Sequence, residues 1–225
     1  MKLNRAEIDR KILHFIFGLL IPGVMFYSSV WVRYIPGLPR TVPPRVYTIL
    51  LFLGLTILML IVEFLRLKVT GMAGLFARGF GSMMRREESR KFTGATHMVI
   101  SALICSMVFY NYPHISAMVL STFIWGDAVA ALVGLSIGRI RIGRKSLEGS
   151  LACFLLCLAM YFLLFPLVPG LLSAWGGRMP LAPALTGSLC VTLLELFPVR
   201  IGRIRFNDNL IVPVLTGVAL VLMQP

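Results

Sequence analysis

Apolar runs long enough to cross a membrane, separated by short basic segments, set the pattern of this chain. After the polar opening MKLNRAEIDRK, such runs fall at about 12–32, 46–65, 96–111, 115–137, 148–168, 181–197 and 209–223, the third of them short. Some twenty consecutive apolar residues suffice for a helix to cross the hydrocarbon core. The pattern therefore predicts an all-α, polytopic transmembrane bundle of about seven spans, forming one domain over 1–225. No small-residue cleavage site follows the first run, so it reads as a retained helix, kinked at Pro22-Gly23. Between the spans lie a proline-rich connection, Ile35 to Pro44, and one long polar connection, Lys68 to Lys91. The latter carries Gly71, Gly74, Gly79 and Gly81 ahead of the cluster Arg85-Arg86-Glu87-Glu88.

Composition agrees, since the 225 residues are 58% hydrophobic and only 14% charged, where a soluble domain runs near 25% charged. A net charge of +13 could suit nucleic acid in a soluble chain. In a membrane protein it reflects loops anchored by Lys and Arg, so membrane lipids are the expected partner and nucleic acid is not. Cys105, Cys153, Cys157 and Cys190 all lie in apolar segments, which indicates neither a zinc site nor a disulfide framework.

Charge bias also sets the expected orientation. With the N-terminus inside, cytoplasmic segments hold 18 of the 22 Lys and Arg: four before the first span, seven from Arg66 to Lys91, four from Arg139 to Lys145 and three from Arg200 to Arg205. Every acidic residue falls in the same cytoplasmic segments, at a cytoplasmic helix end or, for Asp127, inside a span. Carboxylates contribute little to topology, so this grouping wants another cause. A divalent-metal and triphosphate site on the cytoplasmic face of a multi-pass protein would supply one.

The chemistry concentrates in Gly126 to Phe154, GDAVAALVGLSIGRIRIGRKSLEGSLACF. A carboxylate inside an apolar run is costly, which makes Asp127 a functional candidate by default. In a straight helix it would sit about 16 Å from the cytoplasmic end, at 1.5 Å per residue, so a broken or tilted helix or a water-filled cavity is expected there. Gly126, Ala130, Gly134 and Gly138 recur every fourth position and form a close-packing face. Gly138-x4-Gly143-Arg144-Lys145-Ser146 nearly spells a nucleotide loop, but one extra residue precedes the lysine and no strand leads into it, which excludes a true P-loop. Ser146 is a candidate N-cap, and free N–H groups from Leu147 to Ser150 would face the cytosol beside Lys145, an arrangement that binds phosphate. The alternative is that Ser146 only caps and the basic residues only anchor the turn at lipid headgroups.

The blocks GDAVAALVG at 126–134, KSLEGS at 145–150 and DNLIVP at 208–213 resemble the family of dolichol kinases, phytol kinases and the yeast-type CTP-dependent diacylglycerol kinase. Arg10-Lys11-x-x-His14, Glu63-x-x-Arg66, Arg86-Glu87-Glu88 and Thr93-Gly94-Ala95-Thr96 extend the similarity over nearly the whole chain. Those are membrane enzymes that phosphorylate lipid alcohols with a nucleoside triphosphate, usually CTP. The resemblance implies a CTP-dependent phosphotransferase acting on a polyprenol, phytol-like or diacylglycerol hydroxyl. It also implies a role in the site for His14, which taken alone reads as structural. Glu63 and Arg66, spaced i,i+3, read as a local ion pair with a secondary contribution to the site.

Phosphoryl transfer needs positioning, a metal bridging phosphate oxygens, and cations that absorb developing charge. Asp127, Glu148 and Asp208 are the candidate ligands for Mg2+ or another divalent cation, which takes one or two carboxylates. Lys145 would neutralise phosphate, Ser146, Gly149 and Ser150 would donate to it, and Arg10 and Lys11 would assist. Asp127, Lys145 and Glu148 are thus the catalytic candidates, and either Asp127 or metal-bound water would take the alcohol proton. Asn209 is a candidate nucleotide contact. Supporting roles fall to His14, Glu63, Arg66, Glu87, Glu88, Thr93, Gly94 and Glu195, while the Lys68 to Lys91 connection could cover the nucleotide as an amphipathic piece. Two rivals remain. A cytidylyltransferase of the CDP-diacylglycerol-synthase type would need a longer lysine-arginine and lysine-aspartate pattern that is not visible here. A transporter or scaffold could use half-helix N-termini for anions, but no convincing internal repeat is found.

Overall fold

The computed structural model describes residues 5–69, 71, 74, 76, 91–143, 145–202 and 204–225. Each apolar run has become a helix, and the caps follow from local sequence. Helix α1 (Arg5–Phe26) leads into the short α2 (Ser28–Trp31), and α3 (Pro44–Lys68) starts on a proline, whose missing N–H costs nothing there. Thr93 caps α4 (Gly94–Val108) by accepting from the Thr96 N–H, and α5 (Pro113–Ser136) again opens on proline. Ser146 caps α6 (Leu147–Ala159), which runs on through a π turn, Met160–Leu164, and a 3-10 turn, Phe165–Leu167. Helices α7 (Leu181–Leu196) and α8 (Asp208–Val221) follow, the latter capped by Asn207.

Two short antiparallel hairpins interrupt this helical order. Strands β1 (Arg141–Ile142) and β2 (Lys145–Ser146) join α5 to α6, while β3 (Arg200–Ile201) and β4 (Ile204–Arg205) join α7 to α8. The sequence repeats Arg-Ile-Gly-Arg at 141–144 and 200–203, and its glycine has φ 61° in Gly143 and 59° in Gly202. That left-handed geometry suits a two-residue hairpin turn and favours glycine. A repeat of four residues is too short to stand out in the sequence, yet here it builds the same turn twice.

Among the described residues three helices are long and apolar enough to cross a membrane, Pro44–Lys68, Pro113–Ser136 and Leu147–Leu167, and the bent first segment makes a fourth if it is one span. The third, sixth and seventh runs form apolar helices of 15, 16 and 14 residues. At 1.5 Å per residue these reach about 21–24 Å, short of a hydrocarbon core of about 30 Å. The first segment bends by 68° between Phe26 and Ser28, one turn beyond the expected Pro22-Gly23. Pro22 stays inside α1, and the break falls at Tyr27, across which the Trp31 indole donates to the Val24 carbonyl at 2.9 Å.

Packing fixes the relative directions. Met25 near the end of α1 lies with Pro113 and Ser116 at the start of α5, while Trp125 further along α5 meets Phe15 and Gly18. These two helices are antiparallel. Glu63 near the end of α3 bonds Thr93 and Thr96 at the start of α4, and Tyr161 of the α6 extension abuts Gly187 of α7 while Lys145 meets Glu195. Helices α4 and α8 run parallel, with Asn209 donating to the Gly94 carbonyl at one end and Gly217 against Phe109 at the other. Both hairpins, the ends of α3, α5 and α7, and the starts of α4, α6 and α8 therefore share one end of the bundle. Helix α5 is central and buried around most of its circumference, from Ile115 to Gly134. It is unbroken, and Asp127 on it is only partly buried. The outer face of α3, with Leu50, Leu53, Ile57, Ile61 and Phe64, is exposed and apolar, as a lipid-facing helix requires.

Candidate functional site

The stripe of small residues on α5 prepares the site by drawing α6 close. A Cβ on Gly126 would lie 2.8 Å from Cys153 Sγ, and one on Gly134 would lie 2.7 Å from Ser146 Oγ. Real Cβ atoms do not approach that closely, so the stripe is a packing face, as expected. This contact seats the start of α6 and the hairpin before it against the end of α5.

From that hairpin Lys145 reaches back into the bundle. Its Nζ donates to Glu195 Oε1 of α7 at 2.7 Å and stands 4.0 Å from Asp208 Oδ2 of α8. The side chains are 26%, 4% and 23% exposed in that order, so the acid of the close pair is buried and the two other groups are reachable from outside. Burial by itself pushes the Lys145 ammonium towards neutrality, but Glu195 first, then Asp127 and Asp208, outweigh it and raise its basicity above the ordinary lysine value. Lys145 of β2 thus lies in the field of carboxylates from α5, α7 and α8. Glu195 is closer to the centre than its supporting place in the sequence reading indicated. The available signal was its position, a lone charge at the end of the apolar helix Leu181–Leu196.

Other residues of the KSLEGS block are used internally. Ser146 Oγ accepts from the Gly149 N–H at 3.1 Å, Ser150 donates to the Ser146 carbonyl at 3.1 Å, and all three residues are buried. The cap expected at Ser146 is present. In place of the phosphate contacts expected of them, Ser146 and Gly149 face α5, where a Cβ on Gly149 would strike the Ala130 carbonyl, and Ser150 turns onto the Ser146 carbonyl. Glu148 turns away from Lys145, and its Oε1 accepts from the backbone N–H groups of Arg139 at 2.8 Å and Ile140 at 3.0 Å. The expected metal set of Asp127, Glu148 and Asp208 is therefore not assembled, and among the described residues no group of three or more His, Cys, Asp or Glu side chains could hold a metal ion.

A second polar network lies at the same end. Buried Glu63 accepts from Arg66 Nε at 2.8 Å, from the Thr93 N–H at 2.6 Å and from Thr96 Oγ1 at 2.8 Å, while Arg66 also donates to the Lys91 carbonyl at 2.6 Å. The ion pair read from the i,i+3 spacing is present, and it fastens α3 to the start of α4. Asn209, expected to touch the nucleotide, donates to the Gly94 carbonyl at 2.8 Å and joins α8 to that same start. Arg10 is partly buried on α1, and Lys11 and His14 lie on the same helix. With Trp125 anchored to Phe15, Arg10 comes within roughly one turn of the level of Asp127 at 1.5 Å per residue. Glu87, Glu88 and nearly all of the connection expected to cover a nucleotide lie outside the described residues.

Compared with known proteins, the chain is 25% identical over 236 aligned positions to "CTP-dependent diacylglycerol kinase 1" of Saccharomyces cerevisiae, covering 96% of this chain and 72% of that protein. No family model matches. No solved structure matches either.

Proposed function

We propose, on the premise that the chain is a member of that kinase family, as the likeness supports, that it is an integral membrane lipid kinase. It would transfer the γ-phosphate of CTP to the hydroxyl of a membrane lipid, with diacylglycerol, a polyprenol or a phytol-like alcohol as the acceptor. The observation that carries this reading is Lys145 held at 2.7 Å from Glu195 beside Asp208 and Asp127 at the hairpin end. Phosphoryl transfer is served by such a cation amid carboxylates, because the reaction is mostly positioning and charge neutralisation.

In this mechanism Lys145 leaves part of its carboxylate contact to meet phosphate oxygens, and Arg10 assists from α1. Asp127 and Asp208 are the residues that would hold Mg2+. Two partly exposed carboxylates fit that ion, which keeps several waters and takes one or two protein carboxylates. When bound, the metal would supply positive charge that neutralises the phosphate oxygens. Asp127, the carboxylate that lies within α5 and not at a helix end, would accept the hydroxyl proton of a lipid entering from the side. The alternating helix directions support seven crossings with the N-terminus and the hairpin end in the cytoplasm, the side that also carries most Lys and Arg.

The test uses purified protein in nanodiscs, γ-labelled CTP or ATP, and a panel of lipid alcohols separated by chromatography. A labelled lipid phosphate, formed preferentially from CTP, is the expected result. Label that stays in nucleotide or in inorganic phosphate with every alcohol contradicts the reading.

A further inference from the structure

We propose that Glu148 is a positioning residue, one that clamps the base of the β1–β2 hairpin and so fixes Lys145 beside Glu195, without touching substrate or metal. The proposal rests on the phosphoryl-transfer reading of the Lys145 cluster.

The hairpin needs such a clamp. Its ladder is two residues long, Arg141 opposite Ser146 and Ile142 opposite Lys145, and an isolated two-stranded hairpin is marginally stable at best in water. Below the ladder one main-chain bond closes the base, from the Leu147 N–H to the Ile140 carbonyl at 2.9 Å. Glu148 adds two more by accepting from Arg139 and Ile140, the residues that carry the chain from α5 into β1. Because Glu148 lies in the first turn of α6, whose start packs closely on the small residues of α5, the strand bearing Lys145 is referenced to both helices.

The second hairpin provides an internal comparison. It has the same ladder and the same closing bond, from the Phe206 N–H to the Val199 carbonyl at 3.1 Å. Aligned on the shared Arg-Ile-Gly-Arg turn, Ile204 stands where the first hairpin has Lys145, and Asn207 stands where it has Glu148. Asn207 caps its own helix through the Asn209 N–H. The acidic clamp thus accompanies the hairpin that carries the lysine. Misplacing a reacting group by about 1 Å can cost on the order of a hundredfold in rate, which gives the clamp its purpose.

Chemistry separates this role from the metal or acid–base role. An acceptor for two N–H groups need not be charged, so the amide oxygen of glutamine can replace the carboxylate, whereas a metal ligand or base cannot be replaced in that way. The experiment compares Glu148→Gln and Glu148→Ala in nanodiscs, following CTP turnover together with hydrogen exchange of the 139–146 segment. Glu148→Gln should keep the protection and stay within about threefold of wild-type kcat, while Glu148→Ala should lose the protection and fall tenfold or more. Glu148→Gln as inactive as Glu148→Ala, with protection intact, would overturn the proposal, because the charge itself would then be at work. Wild-type protection in Glu148→Ala would overturn it as well. If the wild-type protein transfers no phosphate at all, the kinase reading fails, while the exchange comparison still decides whether the clamp exists.

Discussion

At Lys145 one ammonium feels carboxylates from three different helices, and the buried Glu195 attracts it more than Asp127 or Asp208 does. Charge-assisted contacts of this kind are worth about 1.5 to 3 kcal/mol, so Lys145→Ala should weaken CTP binding and turnover by tenfold or more. Arg141, exposed on the same hairpin, is assigned to lipid headgroups, and Arg141→Ala should do much less. Equal and modest losses in the two variants would mean a diffuse electrostatic surface. The raised basicity of Lys145 also predicts a pH response. Its ion-pair contribution is complete below the unfolded value of about 10.4 and fades only as pH climbs through the higher folded value. The ratio of wild-type to Lys145→Ala affinity should accordingly be flat from about pH 6 to 9, and a slope there would place the titration on another group. Asp127→Asn keeps size and hydrogen bonding but removes the charge. Its phosphorylation rate should drop well beyond tenfold, or about 1.4 kcal/mol, with the fold retained by circular dichroism.

Among the elements, the α5–α6 contact carries the most specific stability prediction. A methyl on Gly138 would strike the Gly134 carbonyl and come within 2.6 Å of Ser146 Oγ, whereas one on Gly54 of α3 would meet nothing within 4 Å. Overpacking costs typically 1–3 kcal/mol, so Gly138→Ala should lower the detergent-solubilised Tm and Gly54→Ala should not. Helix positions of this kind were legible in the sequence, because apolar runs at 115–137 and 181–197 leave little other than Pro113–Ser136 and Leu181–Leu196 for the chain to form. The bend at Tyr27 was not, since neither Tyr27 nor the Trp31 indole that bonds across it is a helix breaker by type. Contacts between side chains divided the same way. The approach of Lys145 to Asp208 follows from basic and acidic helix ends meeting at one face, and the local spacing marked the Glu63–Arg66 pair. The hydrogen-bond partners of Glu148, Asn209 and Ser150 were hidden, because the same polar side chain can face a ligand or a backbone group, and only the tertiary arrangement decides.

For the whole molecule, the alternation of helix direction puts both hairpins on one side and the Phe165 to Pro180 connection on the other. Single cysteines at Arg141 and Arg200, in a background without other cysteines, should therefore react with an impermeant reagent from the same face, and one at Arg178 from the opposite face. Reaction of Arg141 and Arg178 positions from one side would remove the seven-crossing arrangement. The central claim is transfer of the terminal phosphate to a lipid at the Lys145 cluster. Its most direct test offers the reconstituted protein two preparations of CTP, one labelled in the γ-phosphate and one in the α-phosphate, with diacylglycerol in the bilayer. The account predicts that only the γ label enters the lipid, that CDP is released, and that Asp127→Asn abolishes both. Incorporation of the α label with release of pyrophosphate, or incorporation of neither, would contradict it.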